Sequence, residues 1–266
     1  LFDKDALVST QNLPLGTLRI RGLLSKIPAT VRDRREQIEE IVDKELFTFR
    51  KMYLKEREIS HLIGIGENIL YMTRRMDMAA LGDKIDAATM GRFYDRLCQM
   101  TTDQIEERFG VNSEYGSLLL PGAVVYKRIL ELTGAEMFWI PGIRLCDGLA
   151  AEYGNDNKLV KFSHNFENDI LAASRNMAKR YKCHTSHTQV LEQYALNMFD
   201  SMRKYHGLGS RERLMLQIAV LLHACGKFIS IKNSNECSYN IIMSTEIIGL
   251  SHLEREVIAN VVRYNI

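Results

Sequence analysis

The sequence predicts an α/β domain followed by an all-helical one, and three observations carry that prediction. Up to residue 154, short apolar runs alternate with helical patterns, and glycines stand at the joints. Turn formers then cluster at Gly154-Asn155-Asp156-Asn157. Beyond them, 158–266 reads almost throughout as amphipathic helix. A chain of 266 residues is long enough to bury two cores. The expected domains are therefore 1–154 and 158–266.

Taken in order, the chain opens with two predicted strands, Ala6–Thr10 and Leu13–Ile20, with Pro14 and Gly16 marking a bend between them. A helix follows from about Thr30, because Ile38, Ile41, Val42, Leu46, Phe49 and Tyr53 recur at helical spacing. His61-Leu62-Ile63 reads as a short strand running into Gly64-Ile65-Gly66, and Ile69–Met72 starts another helix. A strand, a glycine turn and a helix N-terminus in that order can cradle phosphate, since backbone N–H groups face one point. Asp86 begins a helix over Ala87 to Met100, and Thr102 caps a short one through Arg108. Leu118–Gly122 leads into a helix over 123–132, Glu136–Ile140 is a strand, and Gly142 precedes a helix through Ala151.

Composition sets outer bounds. With 46% hydrophobic and 26% charged residues the chain is of ordinary globular type. A net charge of +2 is too small to argue for nucleic acid, and none is expected as a partner. Five cysteines, scattered and without a paired C-x-x-C, imply neither a disulfide framework nor a zinc finger. No long apolar span or signal-peptide pattern occurs, so a cytoplasmic protein without a membrane partner is expected. The chain begins with Leu and enters strand-like sequence at once, the pattern of a fragment that lacks a preceding domain.

Near the end, the apolar run Leu214–Val220 closes on Leu221-Leu222-His223-Ala224-Cys225-Gly226-Lys227. With Asp at 224 this would read His-Asp-x-Gly-Lys, the centre of an HD-type phosphohydrolase site, where a His-Asp pair holds metal that activates water. Alanine ligates nothing. The stretch therefore resembles an HD helix that has kept its shape and lost its carboxylate.

Several further segments resemble one family when read together. They are Ser9–Arg19 with its Leu-Pro-Leu-Gly, Leu62–Gly66, Leu120–Ala123, Leu145–Leu149, Leu222–Ile229, Ser238-Tyr239, Gly249–Ser251 and Glu256–Tyr264. Their order and spacing are similar to those of the exopolyphosphatase and guanosine pentaphosphate phosphatase (Ppx/GppA) family. The resemblance implies a ribonuclease-H-like (actin-like) α/β domain over 1–154, the second of two in that family, and an HD-like helical domain over 158–266. It places the family's catalytic glutamate and first phosphate loop upstream of this chain, so no catalytic residue is expected within it. Magnesium, if used, would enter through that upstream domain, and a homodimer is the expected assembly.

Departures from the family pattern fall at polar positions. Its second loop, Gly-x-Gly-Gly-Thr, is here Gly64-Ile65-Gly66-Glu67-Asn68. Glu67 would repel a phosphate charge by roughly 4 kcal/mol at about 4 Å and an effective dielectric near 20. Leu-Arg-Glu-Gly has become Leu145-Cys146-Asp147-Gly148, with Arg144 placed to compensate. Cys237 and Asn265 stand where the family has histidines. The candidate phosphate-binding residues are Gly64, Gly66, Asn68, Arg74 and Arg75, the last two within the helix after the loop. His187 and His223 are the candidate metal ligands, with Cys237 completing a zinc-preferring set if the three converge.

Three functions follow. The first is the C-terminal portion of a phosphohydrolase that removes phosphate from the end of inorganic polyphosphate, or from guanosine pentaphosphate. The second is a non-catalytic relative that binds a phosphorylated ligand or a protein partner. The third, an HD-type metal hydrolase acting alone, is disfavoured by Ala224.

Overall fold

A computed structural model describes residues 1–4, 6–26, 34–73 and 84–265. The described chain divides into two compact units, Leu13–Lys161 and a helical unit made of Leu1–Asn12 with Phe162–Ile266. This differs from the boundaries expected from the sequence in two ways. Gly154 is not a linker residue but lies in the last turn of a helix, and its carbonyl accepts the N–H groups of Leu159 and Val160. Residues 1–12 join the helical unit, because the hairpin of β1 (Phe2–Asp3) and β2 (Ala6–Leu7) buries Leu7 in the helical core.

The unit 13–161 is a small α/β body built around one long helix. In chain order it contains α1 (Thr17–Leu24), α2 (Arg34–Phe49, running on into a π turn over Arg50–Leu54), β3 (His61–Ile63) and α3 (Glu67–Thr73). Then come β4 (Lys84–Asp86), α4 (Ala87–Cys98), α5 (Thr102–Phe109), α6 (Ser113–Thr133), β5 (Met137–Trp139) and α7 (Leu145–Asp156). The sheet has strand order β3-β5-β4, with β5 parallel to β3 and antiparallel to β4.

The expected second strand over 13–20 is instead α1. Gly16 is extended, and Ile20 and Leu24 bury one helical turn apart against the core. The alternation of Leu13 and Leu15 belongs to the lead-in, not to a strand. Helix α6 starts ten residues earlier than the Leu-Pro-Gly triplet suggests, capped by the Asn112 side chain on the Tyr115 N–H. Pro121 and Gly122 lie inside it and are buried. Helices α1 to α5 each lay apolar side chains on α6, so tertiary packing holds a helix that propensity alone would break.

The helical unit continues with α8 (Phe166–Arg180), α9 (Thr185–Ser201), α10 (Arg203–His206) and α11 (Ser210–Leu222). A 3-10 turn over Cys225–Phe228 precedes α12 (Ser234–Ser244) and α13 (His252–Arg263). Ile218 and Leu222 of α11, Ile242 of α12 and Ile258 of α13 are fully buried together. Arg211 binds Glu254 through two hydrogen bonds and also donates to the Gly249 carbonyl, tying α11 to the start of α13. No helix among the described residues is long and apolar enough to cross a membrane.

Candidate functional site

The glycine turn sits where β3 hands over to α3, as its sequence requires. Gly64 is buried, and a Cβ there would approach the Phe138 ring of β5 to 2.7 Å. Its N–H donates to the Trp139 carbonyl at 2.8 Å, extending the parallel pairing by one residue. Gly66 has φ +118, a backbone conformation that side chains resist, and its N–H donates to the Ile143 carbonyl. Close packing and a turn thus account for both glycines, and both N–H groups point at protein carbonyls.

Asn68 also faces inward. Its Nδ2 donates to Thr17 Oγ1 at 3.4 Å, and Oδ1 is buried with no hydrogen-bond partner among the described residues. A Cβ on Gly122 would come within 2.9 Å of that oxygen, so a glycine inside α6 makes room for the amide. Glu67 is exposed and lies 3.8 Å from Arg144 Nε. Arg144 N–H donates to Asp147 Oδ2 at 2.8 Å, closing the first turn of α7. Its neighbours Cys146, Asp147 and Glu67, in that order, raise the guanidinium above its ordinary value. A cation thus stands beside the carboxylate that replaces the loop glycine. Arg74 and Arg75 lie outside the described residues.

At the end of α11, the His223 turn is held by backbone and side-chain bonds rather than by a metal-ligand set. His223 Nδ1 hydrogen-bonds the Val220 carbonyl at 2.7 Å. Ser238 of α12 accepts from the Gly226 N–H at 2.7 Å and donates to the His223 carbonyl. A Cβ on Gly226 would fall 1.9 Å from the Ser234 carbonyl oxygen, so the glycine of the motif is there to admit α12.

His187, on the first turns of α9, brings its ring centre to 6.1 Å from that of His223. Two imidazoles at this spacing can turn toward one ion at metal–nitrogen distances of about 2.0–2.1 Å. Two neutral nitrogens do not make the HD donor set, and among the described residues no three of His, Cys, Asp and Glu gather around a point. Cys237 does not join the histidines. Its neighbour Ser238 is the α12 residue that faces the turn, and adjacent helix positions point about 100° apart. The residues present do not fit a hydrolytic metal centre.

One feature of this turn was not found from sequence. Cys183, in the loop before α9, and Cys225, at the start of the 3-10 turn, place their sulfurs 3.4 Å apart. Forty-two residues separate them and no spacing motif links them, so only the fold could show it.

The site and fold together define a class: a two-unit protein with a small α/β unit and a helical unit. Residues 171–266 match the family model described as "Ppx/GppA phosphatase, domain III". No curated protein matches the chain. Among solved structures, it resembles the Ppx/GppA phosphatase of Aquifex aeolicus in its type II variant at 15% identity. That match has a TM-score of 0.43 and covers 52% of this chain and 47% of the other. A second structure of the Aquifex aeolicus family member matches at 15% identity and TM-score 0.43, covering 55% of this chain and 48% of that one. The matches thus span about half the length of either structure.

Proposed function

We propose that this chain serves in a Ppx/GppA-type phosphohydrolase acting on a condensed phosphate, inorganic polyphosphate or guanosine pentaphosphate, from the chain end. The match of residues 171–266 to domain III of that family carries the reading. In this reading the chain binds and positions the anion, and the water-activating carboxylate belongs to the family's first actin-like domain. The strand, glycine turn and helix at 61–73 address phosphate, with Gly64, Gly66 and Asn68 shaping the turn. Arg144 supplies positive charge beside it, and Arg74 and Arg75 follow in sequence. The protein works in the cytoplasm as a homodimer.

A second reading is a relative that binds a phosphorylated ligand or a protein without cleaving it. Two observations favour it: the Gly64 and Gly66 N–H groups are engaged with protein carbonyls, and Ala224 stands at the HD carboxylate position.

Titration of labelled polyphosphate against the purified chain at low and high salt tests the first reading. Binding should weaken as salt rises. Glu67→Gln releases Arg144 from its exposed pair, a contact worth about 0–1 kcal/mol, so it should tighten binding at low salt by up to about fivefold. No binding at low salt by either variant would move the assignment to a partner-binding protein. Phosphate release by the chain alone, abolished by substitution within 61–68, would place the chemistry here and overturn the division of labour.

A further inference from the structure

We infer that Cys183 and Cys225 form a redox-active pair, in which Cys183 is the nucleophile toward low-molecular-weight disulfides and Cys225 resolves the mixed disulfide. The inference is independent of what the glycine turn binds.

The geometry is specific to these two of the five cysteines. Their sulfurs are 3.4 Å apart, against about 2.05 Å in a disulfide, so closure needs a movement of only about 1.4 Å. The two sites differ in access. Cys183 is partly exposed at the loop after α8, where its N–H donates to the Ala178 carbonyl, whereas Cys225 is fully buried beneath it. An incoming disulfide can therefore meet Cys183 but not Cys225. The chemistry is asymmetric in the same sense. Hydrogen bonding from the Cys225 thiol lowers the Cys183 pKa against the opposing effect of burial, and the Lys227 charge helps. The thiolate form, which attacks, thus belongs to the accessible member.

The steps balance without another reactant. The Cys183 thiolate attacks one sulfur of a disulfide RSSR, forming the mixed disulfide and releasing RS⁻. Cys225 gives up its proton and attacks Cys183 Sγ, forming the Cys183–Cys225 bond and releasing a second RS⁻. The protein loses two electrons and two protons, and RSSR becomes two RSH. The bond would tie the loop that leads into α9, whose first turns carry His187, to the turn that carries His223. A covalent link would then stand one residue beyond the position of the missing HD carboxylate.

The test uses the 266-residue chain with Cys146→Ser, because Cys146 is exposed and would take up its own mixed disulfide. Reduced protein is treated with oxidised glutathione, quenched in acid, alkylated in denaturant and mapped by mass spectrometry. Four cysteines remain in this background. The expected product is lighter by two hydrogen atoms, with a Cys183–Cys225 cross-linked peptide and alkylation at Cys98 and Cys237 only. Adding Cys225→Ala should leave glutathione on Cys183 in high yield, and Cys183→Ser should leave Cys225 unmodified. Because Cys225→Ala opens space in the core, circular dichroism first establishes that it folds. If it does not, the wild-type map and the Cys183→Ser arm decide. Alkylation of both Cys183 and Cys225 after oxidation would refute the pair, as would glutathione on Cys225 in the Cys183→Ser chain.

Discussion

At the scale of single residues, several positions that look like ligand chemistry in the sequence are packing positions in the fold. Gly64 is the clearest case, since the Phe138 ring occupies the place its side chain would take. Gly64→Ala should cost about 1–3 kcal/mol through overpacking. In a denaturant series the Gly64→Ala, Phe138→Leu double variant should lose less than the sum of the singles, because the smaller side chain admits the methyl group. Additive losses would mean the two side chains do not meet.

Glu254 is a residue-scale case with a defined pH window. Its hydrogen bonds from Arg211, and secondarily those at Ser251, hold the carboxyl down at about 2 against an ordinary value of 4.5. A depressed carboxyl stabilises the fold above its unfolded pKa, and that contribution is lost as pH falls from about 4.5 toward 2. Arg211 is partly exposed, so solvent screening reduces the effect to on the order of 1–2 kcal/mol. Urea unfolding of wild type and Glu254→Gln should show the difference between them vanish at the acid end of that window.

Elements show how the motifs survive. The turn after α11 needs its helix-stopping glycine because α12 crosses it at contact distance, with Ser238 bonding both the Gly226 N–H and the His223 carbonyl. Gly226→Ala would drive a methyl group into the backbone of Ser234, which has no side-chain freedom with which to yield. The expected loss is roughly 3 kcal/mol or more, above the usual range for overpacking because the obstacle is main chain. Thermal unfolding followed by circular dichroism measures it. A variant as stable as wild type would show that α12 can withdraw from the turn. The same reasoning separates α6 from its sequence signal. Pro121 and Gly122 read as the start of a helix, yet packing by five neighbouring helices carries α6 through both.

At the scale of the whole molecule, order along the chain and membership of a unit part company. The first dozen residues leave the α/β unit that follows them and complete the helical one. Leu7 lies among Ala173, Met177 and Ala178 of α8, and Asn176 hydrogen-bonds the Val8 carbonyl. Leu7→Ala should therefore destabilise the helical unit by about 2–3 kcal/mol. Amide exchange would show this as lost protection in 166–180 and 210–222, with 87–98 and 113–133 unchanged. The reverse pattern would reassign the N-terminal hairpin.

By itself the sequence determined the class of the fold, the helical character of 158–266, the strand and turn at 61–66 and the family likeness of the His223 stretch. Each rests on local periodicity, caps and short motifs, which a chain displays without folding. Helix α1 escaped because four residues of alternation cannot be told from one turn of helix until a core selects the buried face. Strand β4, three residues long, has no pattern of its own and exists because β5 offers it a partner. Tertiary structure alone decided that the Gly64 and Gly66 N–H groups meet protein carbonyls, that Arg144 answers Glu67, and that Cys183 meets Cys225. These are contacts between residues far apart in the chain, and nothing in residue type or spacing encodes a distance that only packing sets.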